Sequence, residues 1–233
     1  MQSSTWHALG NTYVVAEPRA DGRLEAADAV ALARGADGVV EVLAVADDRV
    51  EIAIWNPDGS RAELSGNGTR IAAAWLAARS PAERIDVVVG DRSVRTRILE
   101  GGVVEQDLGE VAVAPPETIE GLSVTPVSVG NPHAVVIGDP DTIVEIGPLL
   151  ETHPRFPNRT NVQVARIDAP GQVTARVWER GVGETASSGT SAVAVAAATH
   201  GEGDVTVRFP GGDLRVHLEN GRALLYGSAE RLS

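Results

Sequence analysis

No cysteine occurs in the 233 residues. Disulfides and thiolate metal sites are therefore excluded, and so is any thiol nucleophile or thiol base. Aromatic residues are scarce at 3%, so a core must be built from Val, Ile, Leu and Ala. No apolar run approaches the roughly 20 residues that span a bilayer. The opening Met1-Gln2-Ser3-Ser4-Thr5-Trp6-His7 lacks the basic and apolar regions of a secretory signal. Positive charge is in deficit, with 20 Lys and Arg against 32 Asp and Glu, a net charge of −12. Such a balance argues against a nucleic-acid partner. A soluble, cytoplasmic protein that contacts neither nucleic acid nor membrane is expected.

What is present is a succession of short β-rich runs, at 13–16, 39–45, 49–55, 84–89, 94–99, 125–129, 134–137, 161–167, 173–178, 205–209, 214–218 and 223–226. Gly, Pro, Asp and Asn punctuate them, as strands require. Helical spacing is confined to 26–34 and to two Ala-rich segments, 69–79 and 190–200. Strand runs with isolated helices predict an α+β architecture. The length suits one large domain or two small ones, and an internal repeat favours two. Trp55 and Trp178, Ser65 and Ser188, and Gly66 and Gly189 are each separated by 123 positions, while Leu9-Gly10-Asn11 and Val129-Gly130-Asn131 match at 120. In each half a strand ends in Trp, a polar Gly-containing turn follows, then Ser-Gly, then an Ala-rich helix. Two homologous halves packed face to face are expected, 1–114 (completed by 227–233) and 115–226, with Pro115-Pro116 at the boundary.

The helix openings are the chemically informative places. Small residues at Ser65-Gly66-Asn67-Gly68 and Ser188-Gly189-Thr190-Ser191 leave backbone N–H groups exposed, where the helix dipole favours an anion. A carboxylate held between two such helix ends is the natural guest. Either serine taken alone is a helix N-cap; the symmetric pair points to a shared site. Gly181-Val182-Gly183-Glu184-Thr185-Ala186 fits the degenerate dinucleotide fingerprint, but the helix opens too late and no βαβ unit surrounds it. Asn11, Asn56, Asn67, Asn131, Asn161, Glu179 and Arg180 cluster near the openings, although each Asn alone suits a turn. Asn131-Pro132-His133 by itself reads as a rigid turn with a satisfied histidine. The remaining histidines show no ligand spacing, so no metal is expected.

These residues resemble the diaminopimelate epimerase family, cofactor-independent amino-acid epimerases. The matching segments are His7-Ala8-Leu9-Gly10-Asn11, Trp55-Asn56-Pro57-Asp58-Gly59-Ser60, Ser65-Gly66-Asn67-Gly68-Thr69-Arg70, Gly130-Asn131-Pro132-His133, Arg159-Thr160-Asn161 and Glu179-Arg180-Gly181-Val182-Gly183-Glu184-Thr185. They stand in the family's order over nearly the whole chain. The resemblance implies two pseudo-symmetric domains, each a curled β-sheet around a central helix, with the active site in a cleft that closes over its ligand. It implies no cofactor, an amino-acid substrate, lysine and cell-wall precursor synthesis as the setting, and leaves a homodimer open.

In the family two cysteines face each other across the substrate α-carbon, one removing a proton and the other delivering one. The matching positions here are Ser65 and Ser188, so the resemblance places their hydroxyls on either side of one carbon. A thiol ionises near pH 8.5 and lower beside a helix N-terminus, whereas an alcohol ionises several units higher. Tenfold in rate follows each 1.36 kcal/mol of barrier, so this Ser/Ser form is expected to be severely impaired. His133 and Glu179 match positions near the two thiols and are candidates to activate the serines. Asn56, Asn161, Glu179 and Arg180 match residues that hold the distal end of diaminopimelate, and Arg180 suits a distal carboxylate. Asn11 and Asn131 match residues around the reacting centre, and Gly66-Asn67 and Gly189-Thr190 match donors to its carboxylate. Two rivals stand beside the epimerase: a one-base lyase of the hydroxyproline-dehydratase type, and a non-catalytic amino-acid binder. The serines fit either a deliberate disarming or a lineage that lost its thiols.

Overall fold

The computed structural model describes residues 2–18, 22–62 and 64–232. The chain divides into two compact units, Met1–Asp107 with Tyr226–Ser233, and Leu108–Leu225.

In the first unit, β1 (Ser3–Ala8) and β2 (Asn11–Ala16) form a hairpin closed by Leu9 and Gly10. Both turn residues have positive φ, 49° and 83°, as a right-twisting two-residue turn demands. The chain then crosses through α1 (Ala26–Leu32) to β3 (Gly38–Val45), which runs parallel to β2. Antiparallel β4 (Arg49–Trp55) and the short β5 (Arg61–Ala62) follow. A second crossover, α2 (Gly66–Ala77), leads to β6 (Arg84–Val89) parallel to β4. After these come antiparallel β7 (Arg92–Ile98) and β8 (Val103–Glu110). The short strand Glu230–Arg231 returns beside β1.

The second unit adds β9 (Ala112–Val113) and β10 (Glu117–Ile119), then repeats that order. β11 (Leu122–Ser128) and β12 (Pro132–Ile137) are antiparallel; α3 (Ile143–Glu151) crosses to β13 (Asn161–Ala169), parallel to β12. β14 (Gln172–Glu179) and β15 (Gly183–Thr185) follow, and α4 (Gly189–Thr199) crosses to β16 (Gly203–Phe209), parallel to β14. β17 (Gly212–Glu219) and β18 (Arg222–Ser228) complete the series. The repeat extends to hydrogen-bond register. Trp55 pairs Arg61 and Ile54 pairs Ala62; Trp178 pairs Glu184 and Val177 pairs Thr185, each residue 123 further on.

Each sheet curls round its Ala-rich helix. α2 touches β1 to β4, β6 and β7, and α4 touches β11 to β14, β16 and β17. α4 is buried from Gly189 to Ala197, and α2 is buried throughout except at Ala74 and Ala77. A helix apolar on every side has to be enclosed, and alanine lets the strands approach closely. This is the α+β arrangement the sequence predicted, with both Ala-rich helices where expected, opening at Gly66 and Gly189.

The sequence did not foresee α3. It contains Gly147 and Pro148, and proline removes a helical hydrogen bond. Packing overrides that propensity: Ile143 and Leu150 are fully buried in the second unit's core, and Ile146 and Trp178 pack against it. A Cβ on Gly147 would lie 2.6 Å from the Trp178 ring, so only glycine fits. β1 and β8 were not among the strand runs read from the sequence either. Changing Gly147→Ala should destabilise the protein by about 1–3 kcal/mol through overpacking, although alanine is the better helix former. A lowered midpoint in denaturant melts is the expected result; a raised one would show that the Trp178 contact yields freely.

Candidate active site

Ser65 ends the extended segment before α2 and adopts the β conformation of an N-cap. Its Oγ accepts the Gly68 N–H at 3.0 Å, so the capping role is real. The same oxygen lies 3.2 Å from the Tyr13 hydroxyl. Beneath it, Arg70 is completely buried, and among the described residues its guanidinium hydrogen-bonds neutral acceptors. Nε donates to the Ser228 carbonyl at 3.1 Å, Nη1 to Gln106 Oε1 at 3.2 Å, and Nη2 to Asn67 Oδ1. Burial lowers the Arg70 pKa to about 10, still far above neutrality, so a full positive charge sits under the start of α2. Gln106 also donates to the Gly66 carbonyl and to Thr69 Oγ1, at 3.0 and 2.8 Å. Asn67 is thereby fixed, and the Gly66–Gly68 turn is braced from below.

Asn11 is buried just after the Leu9-Gly10 turn, with its amide 3.5 Å from the Leu9 carbonyl. Asn56 begins the Pro57–Ser60 turn, where its side chain donates to Ser60 Oγ at 2.9 Å. Asp58, which accepts from the Ser60 amide and hydroxyl, is held below the usual carboxylate range by those bonds.

The α4 opening is built differently. Ser188 has N-cap geometry, but its side chain caps no amide. The hydroxyl bonds the Glu179 carboxylate instead, and Thr185 donates to the same carboxylate at 2.6 Å. Burial pushes the Glu179 pKa above the ordinary glutamate value, and the two hydroxyls only partly offset it. Glu179 is thus poised to hold a proton more readily than a solvated carboxylate.

Among the described residues, His133 hydrogen-bonds Gln163 and Asn131 rather than either serine. It is buried, its Nδ1 lies 3.0 Å from Gln163 Nε2 and its Nε2 lies 3.0 Å from Asn131 Oδ1. The Gln163 amide donates, so the ring accepts at Nδ1 and donates at Nε2. Burial, with the nearby Arg180 charge, lowers its pKa to about 3. The ring is neutral and both nitrogens are engaged; what it does is hold Asn131, whose Nδ2 reaches Thr190 Oγ1 at 3.4 Å. Asn161 is a brace as well, donating to the Pro132 carbonyl and accepting from the Arg180 amide, both at 3.0 Å. One amide hydrogen and one lone pair of Asn161 are left over for a ligand.

The second unit therefore gathers Asn131, His133, Asn161, Glu179, Arg180, Ser188, Gly189 and Thr190. The first gathers Asn11, Ser65, Gly66 and Asn67, with Asn56 in the turn after β4. Sequence reasoning passed over Tyr13, Gln106 and Gln163. Strand alternation was the available signal for Gln106, since it follows the buried Val104 at period two.

The local geometry is matched by kinship. A diaminopimelate epimerase family model matches residues 125–231. The diaminopimelate epimerase of Synechococcus elongatus is 34% identical over all of this chain and 96% of that protein. That of Desulforudis audaxviator is 36% identical over all of this chain and 97% of its own length. The chain belongs to the diaminopimelate epimerase family. Its members are epimerase-type isomerases, and this chain is one by descent. Solved structures agree in fold: a hydroxyproline epimerase from Agrobacterium vitis with bound trans-4-hydroxy-L-proline (TM-score 0.72, 17% identity, 100% of this chain and 89% of that one). A PhzF-family phenazine biosynthesis protein from Bacillus anthracis superposes with TM-score 0.76 at 14% identity, over 100% and 98% of the chains.

Two measurements check the roles read from this epimerase-family geometry. His133→Gln keeps an acceptor and a donor, so turnover should stay within about tenfold, whereas removing a general base costs about 10²–10⁴. Because the folded-state His133 pKa is depressed from 6.5 to about 3, it contributes stability above pH 6.5 that is lost as pH falls toward 3; the variant should lack that loss. Glu179 has the opposite sign. Its raised pKa stabilises the fold below the unfolded value and works against it as pH rises through the folded value. Glu179→Gln should melt higher than the parent at neutral pH, with the gap closing in acid; equal melting at neutral pH would contradict the burial of that charge.

Proposed function

We propose that the chain interconverts LL- and meso-2,6-diaminopimelate by proton transfer at the α-carbon, with Ser65 and Ser188 in the positions of the family's two thiols. The observation that carries this reading is the Ser188–Glu179 hydrogen bond at the opening of α4. It attaches a carboxylate of raised pKa to the hydroxyl that would meet the substrate. In the direction served by this unit, Ser188 Oγ takes the α-proton as its own proton passes to Glu179. Amides at a central-helix opening would receive the substrate carboxylate and the charge that spreads onto it as the α-proton leaves. Arg180, ordered by Asn161, supplies the cation for the distal carboxylate. Asn56 and Asn161 complete the distal set.

Oxygen bases make this a slow enzyme. An alcohol holds its proton several pKa units more tightly than a thiol, and each 1.36 kcal/mol of barrier is tenfold in rate. Converting LL-diaminopimelate to the meso isomer with the purified chain should give a measurable but low turnover. Changing Ser65→Cys and Ser188→Cys together should raise it by several orders of magnitude. No conversion by the parent and no gain in the double variant would overturn the assignment of these positions.

A further inference from the structure

Ser188 has a carboxylate behind it, and the α2 opening holds a counterpart that the family motifs do not include. We propose that Tyr13 is the proton partner of Ser65, a positioning residue whose phenol holds the Ser65 hydroxyl and exchanges a proton with it during turnover. The proposal deepens the reading of function given above and rests on it.

Three observations carry it. The Tyr13 hydroxyl stands 3.2 Å from Ser65 Oγ, and the Gly68 N–H already occupies one lone pair of that oxygen at 3.0 Å. Ser65 Oγ can therefore donate its hydrogen to Tyr13, or accept the phenol's hydrogen on its other lone pair. Second, the ring is seated by a glycine. Tyr13 pairs with Gly38 across β2 and β3, and a Cβ there would lie 2.6 Å from Tyr13 Cε1 and 2.7 Å from the Trp55 carbonyl. Any side chain at 38 would displace the ring and carry the hydroxyl away from Ser65. Third, Arg70 is buried close enough to couple electrostatically to Tyr13. Among the described residues its hydrogen-bond acceptors are neutral, so its positive charge is available to a phenolate formed there.

The chemistry balances as a relay. When Ser65 delivers a proton to the carbanion, its O–H bond breaks as the new Cα–H bond forms. The Tyr13 O–H proton passes to Ser65 Oγ, leaving a phenolate beside Arg70. In the reverse direction the phenolate takes the Ser65 proton as Ser65 takes the α-proton. A phenol ionises near pH 10, several units below an aliphatic alcohol, so the negative charge rests on Tyr13 rather than on a serine alkoxide. Solvent restores the phenol between turnovers in one direction.

Tyr13→Phe keeps the ring over Gly38 and removes only the oxygen. It should lower kcat by about 10²-fold while KM for diaminopimelate stays within about threefold, as for an interaction made only in the transition state. In a Ser65→Cys background the thiol needs no partner, so the same change should cost less than about threefold, a large non-additivity. A third readout does not depend on activity. The chain has two tyrosines, so the ultraviolet difference between parent and Tyr13→Phe isolates the Tyr13 phenol, and Ser65→Ala should move its titration midpoint. An unchanged kcat in Tyr13→Phe, an equal loss in the Ser65→Cys background, or an unmoved midpoint would each overturn the proposal. Failure of the functional reading looks different: no variant, with or without Tyr13, turns over diaminopimelate, and the relay falls with it.

Discussion

An alanine-rich helix enclosed on every side is the constraint from which the rest of each unit follows. Because α2 and α4 are buried around nearly their whole circumference, the strands must curl until the helix is covered. Once the body is buried, the helix end, with the dipole behind it, is the part left for chemistry. The turn that feeds the helix has to be small enough to leave those amides open, which is what Ser-Gly provides at both 65–66 and 188–189. Fold and site are two consequences of one packing requirement.

The two units satisfy that requirement with different chemistry. In the first, a buried guanidinium without a carboxylate partner braces Asn67 and charges the opening positively. In the second, Val193 occupies the position 123 residues on from Arg70 and is fully buried, so that position carries no charge. A half-buried carboxylate stands in that unit instead, tied to Ser188. Each serine hydroxyl is thus paired with an ionisable group of its own unit, phenol in one and carboxylate in the other. A chain without a thiol can move a proton through oxygen only if a neighbour shares the charge, because an isolated alkoxide at neutral pH is too costly. The asymmetry also divides labour: Ser65 spends a lone pair on capping α2, while Ser188 leaves capping aside and commits its hydrogen to Glu179.

Much of this was legible from residue order. The 123-residue spacing reappears as identical strand register at Trp55 and Trp178, because register and side-chain facing are set by the same periodicity. The Ala-rich segments announced the central helices, and the motif residues led to the family. Other features depend on contacts that no local pattern encodes. α3 forms around Gly147-Pro148 because Trp178 needs a flat neighbour, a condition imposed from β14. Tyr13 reads as one more strand aromatic until Gly38, on the next strand, makes room for it. His133 read either as a helper to the serines or as a satisfied histidine in a rigid turn, and its depth and its two partners, Gln163 and Asn131, are visible only in three dimensions.

The account stands on hydroxyls that work through ionisable partners. The most direct test follows solvent deuterium into the α-carbon of diaminopimelate, comparing the unmodified chain with Glu179→Gln. Deuterium should enter with the unmodified chain, and the substitution should slow its entry by about 10²-fold or more, the scale of losing a positioned base. Exchange that is absent from the unmodified chain, or that continues undiminished without the carboxylate, would contradict it.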